Sequence, residues 1–482
     1  MLLAAIADDS RDEFANHSVA TLFPAELCDT PAGKSYLECI SCLRTMSESI
    51  LIKNGILVTM DPERSIFEDG AVAVENDRIT SLGKTEEVAR SFKPAITIDA
   101  KKKVIMPGLI DLHYHTAIAR GVSDGLPLGT YLETFWYPKL QNLRPEEAYW
   151  AALLTYAEAI KSGTTTANDM YRHMVKCGEA AERLGIRAIL SCDCADESEK
   201  LDTLKDNEEV VRIMHGRANG RIQVRIGVEW IPISSRDFLA RVRQVANRNK
   251  VGIHIHLNES LGELEASKKK FGKRPLELAY DLGILGPDCV AAHCVWLTHH
   301  EIRLLKETLT PVSHDPGSNA KLGNGISPVP ELLAAGVNVG LGHDDSECNN
   351  TVDMFEAMKL ASIIHRAHRA DSSLMPPEKV LEMATINGAK ALQMEKEIGS
   401  LEVGKRADII LVDLHKLRLT PLILGKHFNV LSHLVYAAHG DDVDTVIVDG
   451  KIVMQNRVIK TVPEDEVIEK ATQACKDVLS RI

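Results

Sequence analysis

Met106-Pro107-Gly108-Leu109-Ile110-Asp111-Leu112-His113-Tyr114-His115 is the stretch on which the reading of the fold turns. The apolar run follows a Pro-Gly break, which starts a strand cleanly. On a strand, residues i and i+2 face the same way, so His113 and His115 point into one cavity. Alone, such a pair is more often the polar face of a strand than a metal site. Three later runs reverse that balance. Ile253-His254-Ile255-His256-Leu257-Asn258-Glu259 ends in histidine and a carboxylate, Val290-Ala291-Ala292-His293-Cys294-Val295 carries one histidine, and Val337 to Asp344 ends in aspartate. Each polar residue closes a short apolar run, and in a (β/α)8 barrel the C-terminal ends of the strands face the active site. Three histidines and an aspartate make a mixed N/O set suited to zinc or iron.

The chain resembles the amidohydrolase superfamily in the MPGLIDLHYH run. It resembles the aminohydrolase and chlorohydrolase branch in its IHIHLNES, AAHCVWL and GLGHDD segments, over roughly Leu51 to Thr461. Within that branch it looks most like the s-triazine hydrolases, with the methylthioadenosine/S-adenosylhomocysteine and guanine deaminases further off. The expected fold is α/β: a (β/α)8 TIM barrel with a composite β-sandwich built from both ends of the chain. The expected divisions are an extension at 1–47, the sandwich at 48–106 and 400–482, and the barrel at 107–399.

Composition bounds the rest. A barrel with insertions fills most of 482 residues, and 45 % hydrophobic content is ordinary for a globular enzyme. The net charge of −12 argues against non-specific nucleic-acid binding. No apolar run approaches the length of a membrane span. The short Leu2 to Ala7 run has no basic residue before it and does not read as a signal peptide. Ten scattered cysteines suggest the reducing cytoplasm. The Cys39-Ile40-Ser41-Cys42 run is one CxxC without a second pair, poor evidence for zinc, and Met46 stands as an alternative start. The expected partner is a small heterocyclic substrate, not nucleic acid or membrane, with the chain in a homo-oligomer, dimer or tetramer.

Between Ile50 and Val104, turns are expected at Asn54-Gly55, Asp69-Gly70 and Asn76-Asp77. Strands return at Ala407–Val412 and Val443–Gly450, and between the two β segments strands alternate with helices. Ala148 to Lys161 reads as a helix, Ser162-Gly163 as the turn after it, and Pro376-Pro377-Glu378 as a helix start.

The resemblance implies roles. His113, His115, His256 and Asp344 would hold one divalent ion, Zn2+ or alternatively Fe2+. Such an ion lowers the pKa of water from about 16 to about 7, making hydroxide available to attack an electron-poor ring carbon. Glu259, three residues after His256, would shuttle the proton to the leaving group, His293 would orient the water, and Asp344 would also accept its proton. The lysine that bridges two metals elsewhere in the superfamily is missing from Arg221–Pro232, so one ion is expected. His314 and Asn319, in a run similar to the branch's HCPxSN segment, either line the pocket or brace its loops. His254 is expected in core packing, His299 and His300 on the surface behind a Thr298 cap, and His343 is open between pocket and core. Tyr131, Phe135, Trp136 and Tyr137 fit either a packed helix face or a stacking wall for a planar ring.

Asp345 and Cys348 match the triazine deaminase of this branch, where the dechlorinase has Asn and Ser, and Leu128 agrees. A leaving amine needs a proton, whereas chloride does not. The expected enzyme is therefore a hydrolytic deaminase of an amino-substituted N-heterocycle, a triazine, pyrimidine or purine. Its alternatives are a triazine chlorohydrolase and a nucleoside deaminase of the S-adenosylhomocysteine or methylthioadenosine type. Glu229-Trp230, standing where nucleoside-type relatives have Pro-His, counts against the last. Leu128, Trp136, His314, Asn319, Asp345 and Cys348 are the expected substrate contacts.

Overall fold

The structure is a computed structural model that describes residues 49–482. The Cys39-to-Cys42 run, Met46 and the expected extension lie outside the described residues. Alternating apolar residues set β1 (Ser49–Val58), β2 (Ile66–Glu75) and β3 (Arg78–Lys84) side by side, antiparallel. β4 (Ile96–Asp99) and β5 (Lys103–Pro107) run parallel to β1. Of the three expected turns here, only Asn76-Asp77 reverses the chain. Asn54-Gly55 and Asp69-Gly70 lie inside β1 and β2, because Asn54 takes a φ of 65° and shifts the register as a bulge instead of ending the strand. Gly55 pairs with Gly70, where a Cβ would sit 2.4 Å from the Cβ of Leu57. These glycines serve close approach, not reversal.

Ten short strands follow: β6 (Leu109–His115), β7 (Thr164–Tyr171), β8 (Arg187–Cys192), β9 (Ile222–Val224), β10 (Ile226–Val228), β11 (Ile253–Leu257), β12 (Cys289–His293), β13 (Val312–His314), β14 (Val339–Leu341) and β15 (Asp344–Asp345). Their pairings are all parallel. They form two five-stranded sheets, β15-β6-β7-β8-β9 and β10-β11-β12-β13-β14. Only Arg225 separates β9 from β10, and only Gly342-His343 separates β14 from β15. Each of these pairs is one barrel strand that kinks and changes partner, so the two sheets close into an eight-stranded (β/α)8 ring. Arg225 is turned aside to donate to the Asp288 carbonyl at 2.7 Å. The strand expected to run unbroken to Asp344 is interrupted at Gly342, where a Cβ would meet the His113 backbone nitrogen at 2.7 Å.

The helix Pro145–Lys161 covers the expected segment and buries Ala148, Ala152, Tyr156 and Ala159 along one face. Pro377–Ala384 is helical, as its prolines announce. The chain then returns to the first sheet. β16 (Ile409–Asp413) pairs with β5, and β17 (Val443–Val448), β18 (Lys451–Gln455) and β19 (Val458–Ile459) extend it to nine strands drawn from both ends. Its apolar side chains, among them Ile52, Leu57, Val72, Ile105, Ile409 and Ile447, form one cluster. At the base of the ring, buried Arg187 of β8 reaches Asp408 at 2.9 Å and Asp449 at 3.1 Å. That buried, multiply paired charge ties the barrel to the sheet. Among the described residues no helix is long and apolar enough to cross a membrane.

Candidate metal centre and its pocket

The strand ends deliver the expected donors to one place. His113 and His115 close β6, His256 stands near the end of β11, His293 closes β12 and Asp344 opens β15. The nitrogens of His113, His115 and His256 lie within 4.8 Å of one another. Asp344 Oδ1 is 3.7 Å from His113 Nε2 and 3.6 Å from His115 Nε2. Four residues at these strand ends adopt the left-handed backbone that most non-glycine residues avoid: Asn258 (φ 52°), His293 (φ 68°), Cys294 (φ 47°) and Asp344 (φ 71°). Such strain gathers where side chains are aimed for function.

Hydrogen bonds fix which nitrogen of His113 and of His115 faces inward. His115 Nδ1 donates to the Met170 carbonyl at 2.5 Å, leaving the Nε2 lone pair for the centre. Ser191 Oγ donates to the Asp169 carbonyl at 3.1 Å, so it accepts from His254 Nδ1 at 3.2 Å; His254 Nε2 then accepts from His113 Nδ1 at 2.9 Å. The inward Nε2 of His113 is buried without a hydrogen-bond partner. Burial, and next the neighbouring imidazoles, hold His113 and His115 well below the usual histidine range, so both are neutral. Burial, with Asp345 and Glu259 nearby, pushes the Asp344 carboxyl well above the usual range. Neutral imidazole lone pairs facing a carboxylate that lacks a counter-charge are what a divalent cation fits.

His254 is thus more than core packing: it sets the tautomer of His113. His254→Phe is expected to keep the fold and weaken metal affinity by roughly 10- to 100-fold, the usual cost of losing such a partner. Titration against a chelator of known affinity checks this, and unchanged affinity would remove His254 from the centre.

Glu259 and His293 stand beside the ligands, with Glu259 Oε1 3.9 Å from His293 Nε2. Asn324 donates to Glu259 Oε1 at 2.8 Å, and Ser318 donates to Asp344 Oδ2 at 2.5 Å. Neither was singled out from sequence. Ser318 lies in the quoted His314–Asn319 run, whereas nothing around Asn324 marks it. Burial, and next Glu263, hold the Glu259 carboxyl well above the usual range. Asn319 Oδ1 accepts from His293 Nδ1 at 3.0 Å and so braces His293. His314 packs with Nε2 3.2 Å from that of His365 and does not reach the pocket wall. His343 is buried against Asp111. His299 and His300 are exposed, and Thr298 caps their helix.

The wall of the pocket carries Leu128, Tyr131, Leu132, Trp136, Glu229, Trp230, Leu322, Asp345 and Cys348 beside the centre. Four expected contacts, Leu128, Trp136, Asp345 and Cys348, are therefore on it. The aromatic cluster divides: Tyr131 and Trp136 face the pocket, while Phe135 and Tyr137 pack into the core. One oxygen of Asp345 accepts the backbone N–H groups of Glu347 and Cys348, so only the other is free.

A closed parallel barrel with a histidine-aspartate centre at its strand ends defines a class, and the match to the amidohydrolase family model over residues 104–453 agrees with it: the chain belongs to the amidohydrolase family. It is accordingly a hydrolase of carbon–nitrogen bonds other than peptides. It is 42 % identical over 438 residues to a 5'-deoxyadenosine deaminase of Methanosarcina acetivorans, covering 90 % of this chain and 99 % of that one. It is 39 % identical over 438 residues to a 5-methylthioadenosine/S-adenosylhomocysteine deaminase of Thermoanaerobacter pseudethanolicus, covering 90 % and 100 %. Among solved structures, a zinc-bound adenosine deaminase from Xanthomonas campestris superposes with TM-score 0.84 at 30 % identity, covering 89 % of this chain and 98 % of that one. A zinc-bound atrazine chlorohydrolase from Arthrobacter aurescens superposes with TM-score 0.81 at 21 % identity, covering 88 % and 100 %; at that identity the likeness is one of fold.

Proposed function

We propose that the chain is a metal-dependent hydrolytic deaminase of adenosine-like nucleosides, of the kind 5'-deoxyadenosine and methylthioadenosine represent. The observation that carries this is the 42 % identity to a 5'-deoxyadenosine deaminase along nearly its whole length. This corrects the preference for triazines, whose structural likeness stands at 21 % identity. It also corrects the weight placed on Glu229-Trp230: one departure just after one strand counts for less than 42 % identity over 438 residues.

His113, His115, His256 and Asp344 would hold one divalent ion, zinc or iron. When bound, the ion supplies Lewis acidity that makes hydroxide available near neutral pH. His293, its Nδ1 spent on Asn319, presents Nε2 as an acceptor that aims the attacking water. Glu259, steadied through one oxygen by Asn324, takes a water proton and hands it on. Its raised pKa suits the return step, since the acid form must persist long enough to protonate nitrogen. The balance is plain. The water oxygen ends on the ring carbon, the exocyclic C–N bond breaks, one water hydrogen ends on the ring nitrogen, and the other leaves in ammonia. Asp345 offers its free oxygen to the amino group.

The test is ammonia release from 5'-deoxyadenosine, methylthioadenosine, S-adenosylhomocysteine and adenosine, against melamine, with chloride release from a chlorotriazine as the third arm. The best nucleoside is expected to exceed melamine and the chlorotriazine in kcat/KM by roughly 10²-fold or more. A nucleoside that does no better than melamine sinks the reading.

A further inference from the structure

The side chains of Lys139 and Glu347 form a salt bridge of 2.6 Å, and both are wholly buried. Lys139 lies in the short helix Tyr137–Asn142 of the connection after β6, and Glu347 in the loop after β15. Nothing in the centre uses either group. Such a pair is costly to desolvate and is a poor source of stability on its own, so its position calls for an explanation. Glu347 also accepts the backbone N–H groups of Ile118 at 3.2 Å and Ala119 at 2.8 Å and the Tyr131 hydroxyl at 3.3 Å. The Lys139 ammonium sits 3.8 Å from the centroid of the Trp136 ring. Trp136 in turn meets His115 edge-on, ring centroids 5.7 Å apart. One carboxylate and one ammonium therefore fasten the start, middle and end of the loop that carries the aromatic part of the pocket wall. That loop contains a π-helical turn at Leu132–Trp136, a form that recurs at functional sites.

The cavity beside the centre encloses about 30 Å3. That is room for about one water, whereas ligand pockets run to about 300 Å3 or more. A nucleoside enters only if part of the wall swings aside, and the fastened loop supplies Leu128, Tyr131, Leu132 and Trp136 to that wall.

We infer that Lys139 and Glu347 are positioning residues. Their buried pair is a clamp between the loops after the first and last barrel strands, which returns Tyr131 and Trp136 to the substrate ring once it has entered. This rests on the deaminase reading for its substrate. The clamp itself is read independently of substrate, through amide hydrogen exchange.

The experiment compares metal-loaded wild type with Lys139→Met, Glu347→Gln and the double variant, by hydrogen exchange and by steady-state ammonia release from 5'-deoxyadenosine. In each single variant, exchange within residues 118–143 is expected to rise about tenfold while the strands of the ring stay protected. KM is expected to rise about tenfold or more with kcat within about threefold, because the wall acts in binding more than in the chemical step. The double variant is expected to show the single defect, not the product of two, since either change opens the same clamp. Lys139→Arg, which keeps the charge, is expected to restore part of the KM. A folded Lys139→Met with wild-type exchange in 118–143 and unchanged KM overturns the clamp. So does exchange rising evenly over the whole barrel, or failure of both single variants to fold, since either makes the pair a general stability element. A wild type that releases no ammonia while exchange responds as stated would strike the deaminase reading and leave the clamp standing.

Discussion

Glu259→Gln is expected to bind its metal as the wild type does and to lose roughly 10²- to 10⁴-fold in kcat, the range for a positioned acid–base group. The glutamine keeps the shape and still accepts from Asn324 through its carbonyl oxygen, so the change removes proton transfer and little else. The loss should fall on kcat and kcat/KM together, because the proton moves only on the way through the transition state. Metal content by elemental analysis and turnover by ammonia release read the two halves separately. A Glu259→Gln enzyme with full activity removes Glu259 from the mechanism, and one that has lost its metal makes the residue structural.

The other large effect concerns the ion. Exhaustive chelation is expected to lower turnover by about 10³-fold or more, since Lewis-acid activation is worth several kcal/mol of barrier. Return of one equivalent of zinc or iron per chain is expected to restore it. His115→Ala should not regain activity at that dose, because it removes one of the inward nitrogens around Asp344. Two ions per active chain would overturn the single-ion reading, which rests on three histidines, one aspartate and the absence of lysine from Arg221–Pro232.

The convergence of these side chains was legible because strand geometry repeats every two residues. His113 and His115 had to share a side, and His256, His293 and Asp344 each sat where an apolar run ended. The barrel followed from the same regularity. The kinks at Arg225 and at Gly342-His343 were not legible, since they depend on backbone and side-chain neighbours far away in the chain. The bulge at Asn54-Gly55 was misread as a turn because the same two residues serve both, and only the partner strand decides. Lys139 and Glu347, 208 positions apart, carry no local mark. The bracing by Asn324 is hidden for the same reason. The proposed nucleoside preference departs from the triazine preference drawn from Leu128, Asp345 and Cys348, since the pocket wall is drawn from several loops and a few positions speak for little of it.

The kinked fourth and eighth strands divide the ring into two half-sheets. His113, His115 and Asp344 belong to one, His256 and His293 to the other. An ion held by both would be a rivet across the seams, and whatever free energy it gained on binding would also be free energy of ring closure. The candidate centre is in this sense indivisible. Cut the chain at Arg225 and each fragment still carries its histidines in full, while neither can assemble the donor set.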